Sequence, residues 1–404
     1  MSLFSFNLPK QEKVLLFDLE SESLSCSMVL FSSKEKPEIL FYEKIDFGNS
    51  INFGIKKYLS SMVDSFDRMS KNVRQKYMAP SGLLKKVYKV DSLCINIASP
   101  WILSQSKNVK VKNDKPFVVD EAFIKKMRAA EAQDIFNASL PKDQQIKDKF
   151  KIFEEHIVQI RLNGYKIENV LKKNINSFEA NVFLSIIQND ILDKIISSIN
   201  KNLVSEKNFF HSFILSGFSF VRDAYPAKND FVFLDISGET TEVCIAKDDA
   251  VDKIFTFPFG KRIIFKRVSE KLKVPEEMVK SLINMKCQGN CDEKTMGQVE
   301  EAIDIAVKEW RENLFKIFKE ISPRSDIPKD IFIVSDDEVS GIVGKKIKED
   351  RLVGHSIVND NFKVSVLENY KFSPFIKKNG IVVDDVHQKL AIILIDKFLK
   401  NNNG

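Results

Sequence analysis

An aspartate and several hydroxyl residues come together in the stretch FVFLDISGETTEV, which begins at Phe231. Asp235 ends an alternating apolar run, and a second apolar run follows Ser237, Gly238, Thr240 and Thr241. This pattern predicts two strands joined by a tight turn, where backbone N–H groups and hydroxyls surround one concave spot. Phosphate oxygens bind at such spots, and a carboxylate at the strand end can hold the accompanying Mg²⁺ through water. The stretch is therefore a candidate site for a phosphate-bearing ligand with magnesium.

A structural interpretation of the same stretch is equally open on these residues alone. Threonine is common in strands because its branched side chain packs well on a pleated surface, so Thr240 and Thr241 also suit an ordinary hairpin. The context favours the functional interpretation. The first apolar run of the chain, Val14 to Leu19, also carries an aspartate near its end, Asp18, so the two halves of the chain begin alike.

The elements that position these residues alternate between strand and helix patterns. Three apolar runs near the start of the chain are predicted to form an antiparallel meander, namely Val14–Leu19, Ser27–Phe31 and Glu38–Phe47. A helical pattern follows at Gly54–Arg74, and a buried strand is predicted at Leu93–Ser99. In the second half the spacing predicts helices over Lys261–Leu272 and Gln298–Ile321. Phe210–Phe218 is predicted as a strand ending in a turn. The last helix, Asp385–Lys400, is apolar on nearly every side and is therefore predicted to be buried.

A small α+β insertion is predicted over residues 107–188. Asp120 is the expected N-cap of a helix that continues to Phe136. Asn163 and Gly164 form a dipeptide that favours a hairpin between two strands, and Asn176–Ile187 has the pattern of a further strand.

Three segments resemble the nucleotide motifs of the actin-like ATPase superfamily. DISGETTEV, with FPFG at Phe257–Gly260 and the helix that begins at Lys261, resembles its second phosphate motif. Val14–Phe31 lies where the first phosphate hairpin is expected, and Ile331–Ile347 lies where the adenosine motif is expected. Within the superfamily, the insertion resembles the extra subdomain of the cell-division protein FtsA and the pilus-assembly protein PilM.

The resemblance implies ATP and Mg²⁺ as the cofactor pair. Its implied cofactor-binding residues are Asp18, Ser21, Asp235, Ser237, Gly238, Thr240, Thr241, Gly260 and Gly341, and Asp18 and Asp235 are the implied metal ligands.

Two of the three motifs depart from the superfamily pattern. Glu20 replaces the glycine that lets the backbone approach a phosphate, and Glu22 adds another carboxylate. At ~5 Å and an effective dielectric of about 20, one carboxylate facing one phosphate charge costs roughly 3 kcal/mol. The adenosine motif has Ser335 and three acidic residues, 336–338, where glycines are expected. We therefore expect ATP binding to be weak or lost and the chain to be at most a weak ATPase.

The implied fold is α/β, an actin-like pair of lobes with ribonuclease-H-like repeats and the small inserted α+β subdomain. At 404 residues the chain is longer than a single core usually supports, which also favours two lobes. The expected division is an N-terminal arm, 1–12; a first lobe, 13–106 and 189–229; the insertion, 107–188; and a second lobe, 230–404, with a helical subdomain at about 261–322.

The amino-acid composition disfavours some classes of function and of cellular location. A net charge of +6 with both signs interleaved along the chain disfavours a nucleic-acid groove. Five scattered cysteines without a leader pattern favour a reducing cytoplasm. The longest apolar runs, such as Leu390–Ile395, fall well short of the ~18 residues that a membrane span requires.

Other candidate sites are weaker. Cys287 and Cys291 form a C-x₃-C pair with no second pair of ligands, so loop cysteines are favoured over a zinc site. The four histidines lie in unrelated sequence contexts, and none has a neighbour that suggests a triad.

The functional expectation is a scaffold at the inner face of a bacterial membrane, attached through a membrane protein or a cytoskeletal partner and able to form a dimer or polymer. The buried last helix favours a PilM-like role in type IV pilus assembly. An FtsA-like role tethering a tubulin-like ring, a scaffold without nucleotide and, least favoured, an actin-fold small-molecule kinase remain alternatives.

Overall fold

The structure, a computed structural model, describes residues 11–78, 90–167, 169–205, 207–287, 292–321, 327–335, 337–349 and 362–401. Its strands are β1 Gln11–Leu19, β2 Ser23–Ser32, β3 Glu38–Asp46, β4 Ser92–Ile97, β5 Ile102–Val118, β6 Phe150–Leu162, β7 Tyr165–Lys166, β8 Asn174–Gln188, β9 Lys207–Ser212, β10 Phe231–Ile236, β11 Thr241–Lys247, β12 Ala250–Phe257, β13 Asp330–Val334 and β14 Lys363–Val366. Its helices are α1 Ile55–Val73, α2 Glu121–Ser139, α3 Gln144–Lys147, α4 Asn189–Asn200, α5 Phe213–Ala224, α6 Lys261–Leu272, α7 Glu276–Cys287, α8 Glu293–Ile321, α9 Asp337–Glu349 and α10 Val386–Asn401.

The chain divides into two units. The first contains residues 1–224, 249–253 and 369–404, and the second contains 225–248 and 254–368. The first unit has a five-stranded sheet in the order β3-β2-β1-β4-β9. The second five-stranded sheet, in the order β12-β11-β10-β13-β14, belongs to the second unit except for residues 250–253 of β12, which group with the first. The predicted likeness of the two halves is thus present in their sheets.

The first unit covers both faces of its sheet with helices. Leu15, Phe17 and Leu19 of β1 belong to a core shared with α1 and α4. Val14 and Leu16 belong to a second core with α10. Successive side chains of a strand point to opposite faces, so this alternation shows that β1 is buried on both sides.

The inserted subdomain has its own sheet, β5-β8-β6-β7, and its own core beneath α2. Asp120 caps α2, because its Oδ1 accepts the Phe123 N–H at 2.7 Å. Asn163 and Gly164 both have positive φ, as a type I′ hairpin turn requires. The first strand begins at Ile102, before the predicted boundary at 107, and its polar stretch is largely exposed.

The second unit packs α6 to α9 against its sheet around the buried Trp310 of α8. The N–H of its indole ring lies beside the end of β11, so the long helix is anchored close to the hairpin singled out by the sequence.

Two sequence predictions are wrong. Residues 213–218 are the start of helix α5, and every residue from 213 to 221 is buried. A helix that is buried on all sides has no polar face, so its sequence pattern cannot be told from that of a buried strand. Residues 369–404 group with the first unit, although they were assigned to the second lobe. Ala391, Ile392 and Ile395 of α10 pack against the apolar face of β1 and β2 and fix the segment there.

Within the described residues, no helix is long and apolar enough to span a bilayer. The predicted arm lies outside these residues up to position 10, and so do Cys291 and the side chain of Cys287.

Candidate functional site

The turn between β10 and β11 is closed by its own hydrogen bonds. The Ser237 N–H donates to the Thr240 carbonyl at 3.1 Å. The Ser237 hydroxyl donates to the same carbonyl at 3.2 Å. Thr241 has a different role, since its hydroxyl donates to the Phe259 carbonyl at 2.7 Å and accepts the Trp310 indole N–H at 2.8 Å. Thr241 therefore connects the hairpin to the segment before α6 and to α8.

Gly260 lets the segment before α6 lie directly on this turn. A Cβ at Gly260 would lie 2.3 Å from the Ser237 carbonyl oxygen and 2.4 Å from that of Gly238, which is too close for any other residue. The first amides of α6 bind the turn as well: Lys261 N–H donates to Ser237 O at 2.8 Å and Arg262 N–H to Gly238 O at 3.0 Å. Protein carbonyls thus occupy these helix N-terminal donors, which elsewhere often bind phosphate.

The structural role of Thr241 gives a direct prediction. Thr241→Val keeps the side-chain volume but leaves the buried Trp310 N–H and Phe259 carbonyl without this partner, so we expect the free energy of unfolding to fall by about 2–3 kcal/mol. Thr241→Ser keeps the hydroxyl and is the matched control. Urea unfolding curves measure both, and an equal loss in the two variants would show that the hydroxyl is not what matters.

Asp235 is fully buried in β10 and lies directly opposite Glu242 of β11, which is 1% exposed. Residues directly opposite in an antiparallel pair have their side chains on the same face. Two carboxylates are thus close neighbours in this hairpin. An oxygen-rich pair of this kind suits a hard cation such as Mg²⁺, and the role of Asp235 as a metal ligand stays a prediction.

The turn between β1 and β2, residues 20–22, has each of its carbonyls bound by other parts of the first unit. Trp101 donates its indole N–H to Glu20 O at 2.8 Å, and the Tyr58 hydroxyl donates to Ser21 O. The backbone amides of Phe47 and Gly48 donate to the Glu22 carbonyl at 2.8 and 2.9 Å. Ser21 is fully buried. The Glu20 N–H also donates to the Ser23 carbonyl at 3.0 Å, so this amide, a donor that could bind a phosphate, is already used within the turn.

The Glu20 side chain forms part of a buried charged network. Its carboxylate accepts the Ser23 hydroxyl at 3.0 Å and Lys44 Nζ at 2.9 Å. Lys44 also lies 3.3 Å from Asp385, which accepts the Tyr42 hydroxyl at 2.8 Å. Glu20 is thus compensated by a cation inside the first unit. Its negative charge is therefore partly offset, which lowers the electrostatic cost of a phosphate nearby.

Charge and burial oppose each other in setting the pKa of Lys44 and act together on the pKa of Tyr42. Burial alone would lower the pKa of Lys44, but Glu20 and Asp385 raise it above its ordinary value. Burial is also the main reason that the pKa of Tyr42 is raised, with Asp385 adding to the shift. Lys44 therefore stays a cation.

Asp18 lies beside this network and is fully buried. Its Oδ1 accepts the Asn96 amide at 2.5 Å, whereas Oδ2 has no hydrogen-bond partner among the described residues. The pKa of Asp18 is raised to about 8, chiefly by burial; His387 and the Asn96 hydrogen bond oppose the rise, and Asp385 and Glu20 add to it.

Potential ligand atoms of Asp18, Glu20 and His387 all lie within 4.8 Å of one another. Asp18 is therefore close to two other groups that could ligate a metal, and its role as a metal ligand stays a prediction.

The segment expected to bind adenosine is only partly described. The Ser335 hydroxyl donates to the Ile236 carbonyl at 2.7 Å, so it links β13 to β10. Gly341 is exposed in α9, and an added Cβ would meet nothing within 4 Å, so packing within the protein does not require a glycine there. Residue 336 and the side chains of 337 and 338 lie outside the described residues.

Sequence reasoning missed a cavity of about 640 Å³ in the first unit. Its walls come from β6, β9 and α10, with apolar Ile152, Phe210 and Phe398 beside Glu154, His156 and His211. Two histidines from unrelated sequence contexts meet at this wall, because His156 Nε2 and His211 Nδ1 both lie 3.1 Å from Glu154 Oε1. The signal was the E-x-H spacing within one strand, which places Glu154 and His156 on one face.

No family model and no curated protein matches the chain. Solved structures do. The chain is similar to the protein in the PilM–PilN type IV pilus biogenesis complex, with a TM-score of 0.62 at 9% identity, over 97% of this chain and 99% of that chain. A Bacteroides thetaiotaomicron protein described as having an actin-like ATPase fold and unknown function gives a TM-score of 0.44 at 10% identity, over 95% of this chain and 96% of that chain. EutJ, an ethanolamine utilization protein from Carboxydothermus hydrogenoformans, gives a TM-score of 0.41 at 11% identity, over 97% of this chain and 91% of that chain.

The protein therefore shares the fold of the protein in the PilM–PilN complex, which confirms the PilM-type α/β fold that the resemblance implied. The likeness to PilM is one of fold, and what it implies for this chain is a matter for proposal.

Proposed function

We propose that the protein is a PilM-like scaffold at the inner face of a bacterial membrane, which binds a segment of a membrane protein and works with weak or no ATP binding. The cavity in the first unit carries this proposal. It is concave, combines aromatic and aliphatic walls with a few polar groups, and so has the composition of a binding site. The similar fold in a pilus biogenesis complex supports the choice of partner.

The turns support the second half of the proposal. In the first unit, the carbonyls of the 20–22 turn are bound by Trp101, Tyr58 and the 47–48 backbone. In the second unit, the first amides of α6 donate to the turn itself. Both hairpins are thus held in shape by protein contacts, and in the second unit a phosphate would compete with protein carbonyls for the first amides of α6. Asp18, Ser21, Asp235, Ser237, Gly238, Thr240, Thr241, Gly260 and Gly341 remain the proposed nucleotide-facing set if any nucleotide binds.

Partner binding can be tested with fluorescent peptides that cover the cytoplasmic tails of single-span membrane proteins from the same organism. We expect one to bind with micromolar affinity, and Phe398→Asp to weaken it at least about tenfold because a charge enters the apolar wall. Tyr165→Asp is the matched control, since Tyr165 is 75% exposed and does not line the cavity. A peptide that binds both variants alike contradicts the placement of the site.

The proposal that ATP binding is weak or absent is tested separately. Calorimetric titration with Mg·ATP should give no binding below millimolar concentration, and added Mg·ATP should leave peptide affinity unchanged. Asp235→Ala is the control variant. Micromolar binding that disappears in Asp235→Ala would show that the second hairpin still holds phosphates and that the scaffold responds to nucleotide.

A further inference from the structure

Three potential metal ligands meet at the wall of the cavity in the first unit. Glu154 Oε1 lies 3.1 Å from His156 Nε2 and 3.1 Å from His211 Nδ1. The ligand atoms of all three residues lie within 4.8 Å of one another. Ligands 2.0–2.1 Å from a tetrahedral zinc ion are about 3.3 Å apart, so two of the three separations already match a filled site to within a few tenths of an ångström.

The carboxylate is held in place from behind. Glu154 is 4% exposed, and its second oxygen accepts the Ser212 N–H at 2.9 Å and the Ser185 hydroxyl at 3.3 Å. Those bonds leave Oε1 directed at the two imidazoles. Outer contacts of this kind orient ligands in metal sites and commonly change metal affinity 10- to 100-fold, by rough estimate.

The two imidazole rings are also restrained. The Phe398 ring lies 5.2 Å from the His156 ring, at an interplanar angle of 15°, and 5.2 Å from the His211 ring, at 33°. His156 lies on β6, His211 lies on β9 and Phe398 lies on α10. Regular secondary structure therefore positions both histidines and the aromatic ring that packs against them. A site built on strands and helices holds its geometry better than one built on loops.

A metal takes a carboxylate in its ionised form and an imidazole in its neutral form. The neighbouring Glu155 is paired with Arg128 at 2.8 Å and is thus engaged elsewhere.

We propose that Glu154, His156 and His211 form a divalent transition-metal site that takes Zn²⁺, with its fourth coordination position open to the cavity. Two imidazoles and one carboxylate are a ligand set that zinc accepts, and a site with three protein ligands leaves a position for water or for a donor atom of a bound molecule. The proposal does not depend on the proposed scaffold function.

The test uses the full chain, stripped with EDTA and titrated with Zn²⁺, and separately with Co²⁺, whose visible absorption reports tetrahedral coordination. We expect one ion per chain at micromolar affinity or tighter. His156→Ala and His211→Ala should each weaken binding at least 100-fold and remove the Co²⁺ spectrum, and Glu154→Gln should weaken it at least tenfold. Glu155→Gln is the matched control and should bind like the parent.

A second variant separates this site from the other metal-ligating group of the first unit. His387→Gln alters the group formed with Asp18 and Glu20 and should leave the Zn²⁺ affinity unchanged. Zinc binding that survives His156→Ala but disappears in His387→Gln overturns the proposal. So does a parent protein that is folded by circular dichroism and binds no Zn²⁺ up to millimolar concentration, since Glu154 then serves only as a hydrogen-bond acceptor for the two rings.

Discussion

Replacing Asp18 by asparagine is expected to stabilise the protein increasingly as the pH rises from 5 to 8, by about 1 kcal/mol for each pH unit. Burial raises the pKa of Asp18 from 3.8 to about 8. In that pH window the unfolded chain has lost the proton and the folded protein retains it, so the stability of the parent falls as the pH increases. Asparagine resembles the protonated carboxyl, has no proton to lose and is free of this cost.

Urea unfolding of the parent and of Asp18→Asn at pH 5, 6, 7 and 8 measures the effect. Asp64→Asn is the control, because Asp64 is exposed on α1. Parallel pH profiles for the parent and Asp18→Asn would contradict a buried, protonated Asp18. A stabilisation of the parent by Mg·ATP at pH 8 that Asp18→Asn does not share would assign Asp18 to a magnesium site instead.

Replacing Lys44 by methionine is expected to lower the free energy of unfolding, and this is the second large effect. Lys44 is the cation between Glu20 and Asp385, whose side chains are 8% and 2% exposed. Removing it leaves two buried carboxylates without their cation. Breaking a buried ion pair costs roughly 3–5 kcal/mol. Because the Lys44 side chain is itself 34% exposed and water screens it, we expect a loss of about 2–3 kcal/mol in the free energy of unfolding.

Two further variants control for this effect. Lys44→Arg keeps the charge and should recover most of the stability. Lys76→Met removes the partner of Glu43 from a lysine that is 55% exposed, and such surface pairs contribute at most about 1 kcal/mol. Equal losses in Lys44→Met and Lys76→Met, measured by urea unfolding, would show that the network around Asp385 does not depend on its cation.

Local sequence signals predicted local structure well. The period of Lys261–Leu272 matches α6, Asp120 caps α2, and Asn163 with Gly164 forms the expected hairpin turn. These features depend on neighbours within a few residues, so the sequence carries them directly. The buried run at 213–221 has no polar face, and its helix could not be told from a strand by pattern.

The candidate site was less accessible to sequence reasoning, because its bonds join distant parts of the chain. Asp385 meets Lys44 across 341 positions. Trp310 meets Thr241 across 69 positions. The residue types around the two turns suggested phosphate chemistry, but only the tertiary structure shows that the Thr241 hydroxyl is used within the protein. Glu154 and His211, 57 positions apart, were missed for the same reason.

The position of α10 in the chain bears on how the protein is made. The face of the first sheet formed by Val14, Leu16 and Val29 is covered by a helix that begins only at Val386. On the ribosome, that apolar face must wait for more than three hundred and fifty residues of later synthesis, because Val29 and Val386 are that far apart in the sequence. Until α10 has been synthesised, this exposed apolar face can bind another copy of the chain or a chaperone. The first unit is therefore the part of the chain that starts first and is finished last.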